Sequence, residues 1–200
     1  NYSDLLSKCD VTDETAVEYI GVINNQSAKL KRLIEDLIEA SKASTGNVQI
    51  NKTKLNLSEL AVQAIVEFTP DFELNKNEIK FTEPESAPVV FADSVKTYRI
   101  ISNLFSNAKK YSAKGTRVYA SVYEDASYGY FEIKNISREP LNISPEVLTE
   151  RFVRGDESRT KEGNGLGLSI AKDLCKLQDG ELIIKIDGDL FKATVKLPKN

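Results

Sequence analysis

Arg99-Ile-Ile-Ser-Asn103-Leu-Phe-Ser-Asn107-Ala-Lys-Lys110-Tyr111 repeats with the period of a helix. Ile100, Leu104 and Ala108 form an apolar stripe, and Asn103, Asn107 and Lys110, at i, i+4 and i+7, form a polar stripe beside it. The spacing predicts a helix from about Ser94 to Tyr111 with one side in a core. Asparagine is a mediocre helix former, so two of them next to a core face need a reason. An amide oxygen is a hard, neutral ligand for a magnesium ion that keeps several waters and bridges phosphate oxygens. A lysine one turn further on can meet the phosphates directly. Tyr111 then offers a flat surface for a base. For the two asparagines alone, a partly solvated helix face is the better explanation of the pattern.

Moving outward, Gly163-Asn164-Gly165-Leu166-Gly167-Leu168-Ser169-Ile170-Ala171-Lys172 has glycines that let the backbone pass close to a ligand. It opens a helix predicted from about Leu166 to Leu177, whose free N–H groups and positive dipole end suit an anion such as a polyphosphate. Glycines in this number also fit a plain tight loop, and no strand precedes them as a dinucleotide fingerprint requires. Between the two helices, Leu148-Thr-Glu-Arg151-Phe152-Val-Arg154-Gly155 sets one aromatic anchor among arginines that can reach a nucleotide from a mobile segment. A solvated loop with one buried aromatic is its other reading.

Around these stretches the pattern is mixed. Strands are predicted at Val48 to Lys54, Glu78 to Phe81, Val89 to Phe91, Thr116 to Tyr123, Tyr130 to Asn135, Glu181 to Ile186 and Ala193 to Leu197. A further helix runs from Leu57 to Phe68, with Ser58 as its cap. Strands with interspersed helices and no strict βαβ alternation predict an α+β fold, a two-layer sandwich with helices on one face of a mixed sheet. Ahead of it, Asp13 and Glu14 open a long helical pattern that carries Val17, Ile20, Ile23, Leu30, Ile34, Leu37 and Ile38 to about Ala43. Ser44 to Asn47, with Gly46, ends it, which divides the chain into residues 1–45 and a domain from 46 to 200.

Composition narrows the function. With 200 residues, 40% of them hydrophobic, the chain can bury one core and a helical appendage. A net charge of −3 argues against nucleic acid as a partner, because gripping phosphate backbones needs a net basic face. No apolar run is long enough to cross a bilayer. With no histidine and only Cys9 and Cys175, there is no metal-ligand cluster of the usual kinds, and both thiols are expected to be reduced and cytosolic. The absence of methionine suggests a piece of a longer protein.

Taken in order, the three stretches resemble the N, F and second glycine boxes of the histidine-kinase branch of the ATPase superfamily shared with type II topoisomerases, Hsp90 chaperones and MutL repair proteins. The resemblance runs from about Val48 to Lys199. It implies ATP and Mg2+ as cofactors, with Asn107 the magnesium ligand, Asn103 lining the site, Lys110 a phosphate contact and Tyr111 packing on adenine. Arg154 is similar to a lid arginine that reaches the terminal phosphate, while Gly163, Gly165 and Gly167, with Leu166 between them, resemble the loop that holds the triphosphate. Where the family has Asp-x-Gly-x-Gly, this chain reads Asn135-Ile-Ser137-Arg-Glu139. Asn135 falls at the aspartate that accepts a hydrogen bond from the adenine amino group, and its side-chain oxygen can still accept that bond.

Residues 1–45 resemble the end of the first helix and the whole second helix of a dimerisation hairpin. The phospho-accepting histidine is expected roughly three helical turns upstream of Asn1; no catalytic residue is assigned within the chain. The implied full-length protein is a sensor histidine kinase, homodimeric through the hairpin and anchored in the bacterial inner membrane with this part cytoplasmic. It would pass phosphoryl from a histidine to the receiver domain of a response regulator. Two rival readings stand beside it. One is a degenerate, non-catalytic nucleotide-binding or dimerising module, favoured by Ser137 and Glu139. The other, an ATP-driven clamp, needs a catalytic carboxylate on the asparagine helix, and Val95 to Tyr111 holds none.

Overall fold

A computed structural model describes residues 14–46, 48–150 and 165–200. The chain divides into two compact units, Asn1–Glu39 and Ala40–Asn200. Helix α1, Glu14–Ser44, runs through most of the first. Along it Val17, Ile20, Leu30, Ile34, Leu37 and Ile38 are exposed, while Ile23 is half-buried.

In the second unit, strand β1 (Thr53–Asn56) leads directly into helix α2 (Leu57–Leu74). The cap is Asn56, whose side-chain oxygen accepts from the N–H groups of Ser58 and Glu59 at 3.0 and 3.4 Å; Ser58 stands inside the helix. This corrects the expected cap by two residues, and β1 likewise begins at Thr53 and not at Val48. Helix α2 also continues past Phe68, through Pro70. Proline forfeits the N–H that would bond the carbonyl one turn earlier, at Val66. Val66 is exposed, so water can serve that carbonyl, and continuing the helix buries Phe72 edge-on against Phe105 at 6.4 Å.

Strands β2 (Glu78–Thr82) and β3 (Val89–Ala92) follow, then helix α3 (Ser94–Tyr111), strands β4 (Arg117–Glu124) and β5 (Tyr128–Ile136), and the short helix α4 (Pro145–Leu148). Helix α5 (Gly167–Lys176) and strands β6 (Glu181–Asp187) and β7 (Leu190–Pro198) complete the chain. The main sheet has five strands in the order β2-β4-β5-β7-β6, while β1 and β3 form a separate antiparallel pair. Only β2 with β4 is parallel within the main sheet, which is therefore mixed as expected.

Alternation along the strands sorts the two faces. Val118, Ala120 and Val122 of β4, Phe131 and Ile133 of β5 and Ala193, Val195 and Leu197 of β7 are buried and share a core with Phe72 of α2, Ile101, Leu104 and Phe105 of α3, and Ile170 and Leu174 of α5. The opposite face carries Tyr123, Tyr130, Glu132, Lys134, Lys192 and Thr194. Glu132 is buried there, accepting from Tyr123 and Thr194 hydroxyls and paired with Lys192 at 2.7 Å and Lys134 at 3.1 Å. Burial pushes its carboxyl up, but the two ammonium groups outweigh that and hold it below the usual glutamate range.

Candidate functional site

Helix α3 is the platform of the site, and both of its ends are pinned. At the start, the Asp93 carboxylate accepts from Lys96 N–H at 3.0 Å, the expected N-cap geometry, and from Asn51 N–H at 2.9 Å. The Asp93 N–H in turn donates to the side-chain oxygen of Gln178 at 2.7 Å, and Gln178 is fully buried. At the far end, Ala113 N–H donates to Ile136 carbonyl at 2.9 Å and Arg138 N–H to Tyr111 carbonyl at 2.8 Å, with an antiparallel bridge between Ser112 and Ser137. The Arg138 guanidinium also donates to the carbonyl of Lys110. A cation on the last carbonyls of a helix satisfies orphan acceptors and complements the negative dipole end. The residues that follow Asn135 thus form an extended clip on α3.

This clip brings together residues that lie apart in sequence. Asn135, near the end of β5 and paired in register with Phe191, stands on the helix-facing side of the sheet within three residues of the clip on Tyr111. It is 2% exposed, and its side-chain oxygen has no hydrogen-bond partner among the described residues. Asn103 has a buried amide nitrogen with none either. Its side chain lies against the start of α5, where a Cβ added to Gly167 would sit 3.9 Å from Asn103 Cγ and Oδ1. Buried polar atoms are nearly always paired in folded proteins, so two orphaned amide atoms on neighbouring elements make these residues candidates to receive something polar; the Ser58 hydroxyl on α2 is orphaned as well.

Asn107 lies on the same stripe of α3, half-buried, between Asn103 and the end of the helix. Lys110 donates to the Tyr111 hydroxyl at 2.8 Å and stands 4.6 Å from the ring centroid, so these two side chains are coupled before any ligand arrives. Among the described residues no group of three or more His, Cys, Asp or Glu could hold a metal ion by itself. A single neutral amide such as that of Asn107 is compatible with magnesium, which binds through few protein donors plus substrate phosphates and water.

At the glycine run, Gly165 adopts φ +66°, a left-handed conformation natural to glycine, and turns the chain into α5. Leu166 is buried, and its carbonyl accepts from Ile170 N–H and Ser169 hydroxyl, both at 2.9 Å, so it anchors the helix start in the core. Among the described residues no side chain caps α5, so its first N–H groups have no side-chain partner there. Arg154 and Gly163 lie outside the described residues, as does the first hairpin helix. Sequence reasoning misses Arg138 and Gln178, which position α3 through backbone groups at its two ends; neither belongs to a periodic pattern that would single it out.

Residues 92–200 match the family described as histidine kinase-, DNA gyrase B-, and HSP90-like ATPase. The chain belongs to this family. Within it, the relatives are sensor histidine kinases. Sensor protein KdpD of Clostridium acetobutylicum is 31% identical over 186 residues, covering 90% of this chain and 20% of that protein. The chain therefore spans only a minor part of such a relative's length. Two solved structures share the fold at 18% identity. Full-length ShkA in complex with AMPPNP superposes with a TM-score of 0.80, covering 97% of this chain and 41% of that one. The histidine kinase ThkA in complex with response regulator protein TrrA gives 0.71, covering 100% of this chain and 58% of that one. The histidine-kinase ATPase domain thus has its mixed sheet and covering helices in this chain, and no described helix is long and apolar enough to cross a membrane.

Proposed function

We propose that this ATPase domain binds Mg-ATP and, in a longer sensor histidine kinase, presents its γ-phosphoryl group to a histidine outside these 200 residues, which contain none. The observation that carries the reading is the pair of orphaned, buried amide atoms, Asn103 Nδ2 and Asn135 Oδ1, on the two elements that the 136–138 clip joins. In this reading Asn135 accepts from the adenine amino group, Tyr111 packs on the base and Lys110 contacts phosphate. The backbone of Gly165, Leu166 and Gly167 holds the triphosphate at the open start of α5, Arg154 and Gly163 complete its enclosure, and Asn103 lines the site. Asn107 would hold magnesium, whose charge would neutralise that developing on the phosphates.

Such transfer needs positioning and charge neutralisation more than covalent help from the domain, which agrees with a site of amides, cations and backbone N–H groups. The proposal extends to the whole protein: a homodimer through the helical hairpin, anchored in the membrane with this domain cytoplasmic, and a response-regulator receiver domain as the acceptor. The ThkA neighbour, solved with response regulator TrrA, supports the last of these.

Calorimetric titration with an ATP analogue, with and without magnesium, tests the site. Magnesium-dependent binding that is lost in both Asn107→Asp and Tyr111→Ala is the expected result. No binding by the parent chain at millimolar nucleotide would overturn it in favour of a degenerate module.

A further inference from the structure

Asn135 is held by its backbone, while its side chain has no hydrogen-bond partner among the described residues. It is in register with Phe191 of β7, and the next carbonyl, Ile136, accepts from Ala113 N–H at 2.9 Å. Yet no hydrogen bond from the described residues fixes which way its buried amide faces, and its oxygen is orphaned. The Cβ–Cγ torsion of asparagine is broad and roughly two-fold, so the amide can present either its oxygen or its NH2 to the same place. An ionised carboxylate there could only accept.

That difference bears on which base the site admits. The edge of a 6-aminopurine offers an amino donor beside a ring-nitrogen acceptor; a 6-oxopurine offers the reverse, a carbonyl acceptor beside a ring N–H donor. A carboxylate facing the 6-position accepts from the amino group of the first and repels the carbonyl of the second. An amide pairs with the first through its oxygen and, turned over, donates to the carbonyl of the second while accepting from its ring N–H. Discrimination between such analogues comes mainly from leaving a buried polar group unpaired, and a reversible amide removes that penalty.

We propose that the buried, unfastened amide of Asn135 lets this site take 6-oxopurine nucleoside triphosphates as well as 6-aminopurine ones. This rests on the nucleotide site proposed above, with Asn135 at the base.

The test is titration of the full chain with Mg-ATP and Mg-ITP, inosine lacking the 2-amino group that would add a steric variable. The expected result is affinities within about fivefold of each other. In Asn135→Asp, ITP affinity should fall at least tenfold relative to ATP. The parent ratio is informative whether or not the variant folds, and a thermal melt of Asn135→Asp shows which applies. ATP binding with ITP excluded by more than about thirtyfold in the parent chain would overturn the base-specificity proposal and leave the nucleotide site standing. A ratio near one that a folded Asn135→Asp leaves unchanged would also overturn it. Failure of both nucleotides to bind would overturn the nucleotide site itself, and this proposal with it.

Discussion

The N–H of Asp93 donates to the side-chain oxygen of Gln178 across 85 positions of sequence, at 2.7 Å and in the buried interior. The same oxygen accepts from Thr97 hydroxyl at 3.3 Å, and the amide nitrogen donates to Leu174 carbonyl at 3.1 Å. One side chain therefore fastens the start of α3 to the end of α5. Gln178→Leu keeps the volume but strands the Asp93 N–H away from water, which should cost about 2–3 kcal/mol in urea unfolding. Lys52→Ala, which removes a largely exposed ion pair with Asp179, should cost under about 1 kcal/mol. Equal costs would mean that the buried network contributes nothing beyond surface pairing.

Asn103 separates function from stability. Its buried amide nitrogen has no partner among the described residues, so Asn103→Leu removes an unsatisfied donor and should leave stability unchanged or raised by about 1 kcal/mol. Magnesium-nucleotide affinity should meanwhile fall at least about tenfold, the effect of one lost polar contact. A variant that unfolds at markedly lower urea would show that the asparagine is structural.

Phe105 sits at the aromatic centre of the core, stacked on Phe68 at 5.6 Å and tilted against Phe131 at 5.9 Å, and is fully buried. Phe105→Ala should destabilise by about 3–5 kcal/mol, whereas Phe105→Leu should cost roughly half as much, because it leaves a smaller cavity. Chemical denaturation of both variants reads this directly.

Glu132 gives the fold an acid dependence. Its folded-state pKa is depressed, so the stability it contributes is present above the ordinary glutamate pKa and is lost as pH falls through the lowered value. Glu132→Gln should be less stable than the parent at neutral pH, with the gap closing as pH falls below the ordinary glutamate range. A gap of constant size in unfolding experiments across that fall would remove Glu132 from the acid response.

Much of the fold is legible in sequence. Helix α3 follows from the stripes of Ile100, Leu104 and Ala108, and the strands follow from alternation to within a few residues. The errors fall where local signals mislead. Ser58 has the chemistry of a cap, but Asn56 stands at the β1–α2 junction and caps first. The helix expected to end at Phe68 continues through Pro70, where burying Phe72 outweighs the forfeited hydrogen bond. In the site, the spacing of Asn103, Asn107 and Lys110 and the glycines at 165 and 167 are plain from the order of residues, whereas the orphaned state of the Asn103 and Asn135 amides depends on which side chains pack around them.

The sequence alone determined most of the helices and strands, though not the short helix α4, and which residues offer amide, cation and free N–H chemistry, because periodicity and residue type are local properties. The tertiary structure decided the strand order β2-β4-β5-β7-β6, the parallel pairing of β2 with β4, and the clip by which residues 136–138 set Asn135 beside the end of α3. It also decided that Gln178, anonymous in the sequence, carries the junction of α3 and α5. The physical reason is that period and propensity describe each segment's own faces, whereas pairing and burial depend on which distant segment arrives to cover them, and that is settled by the packing of the whole core.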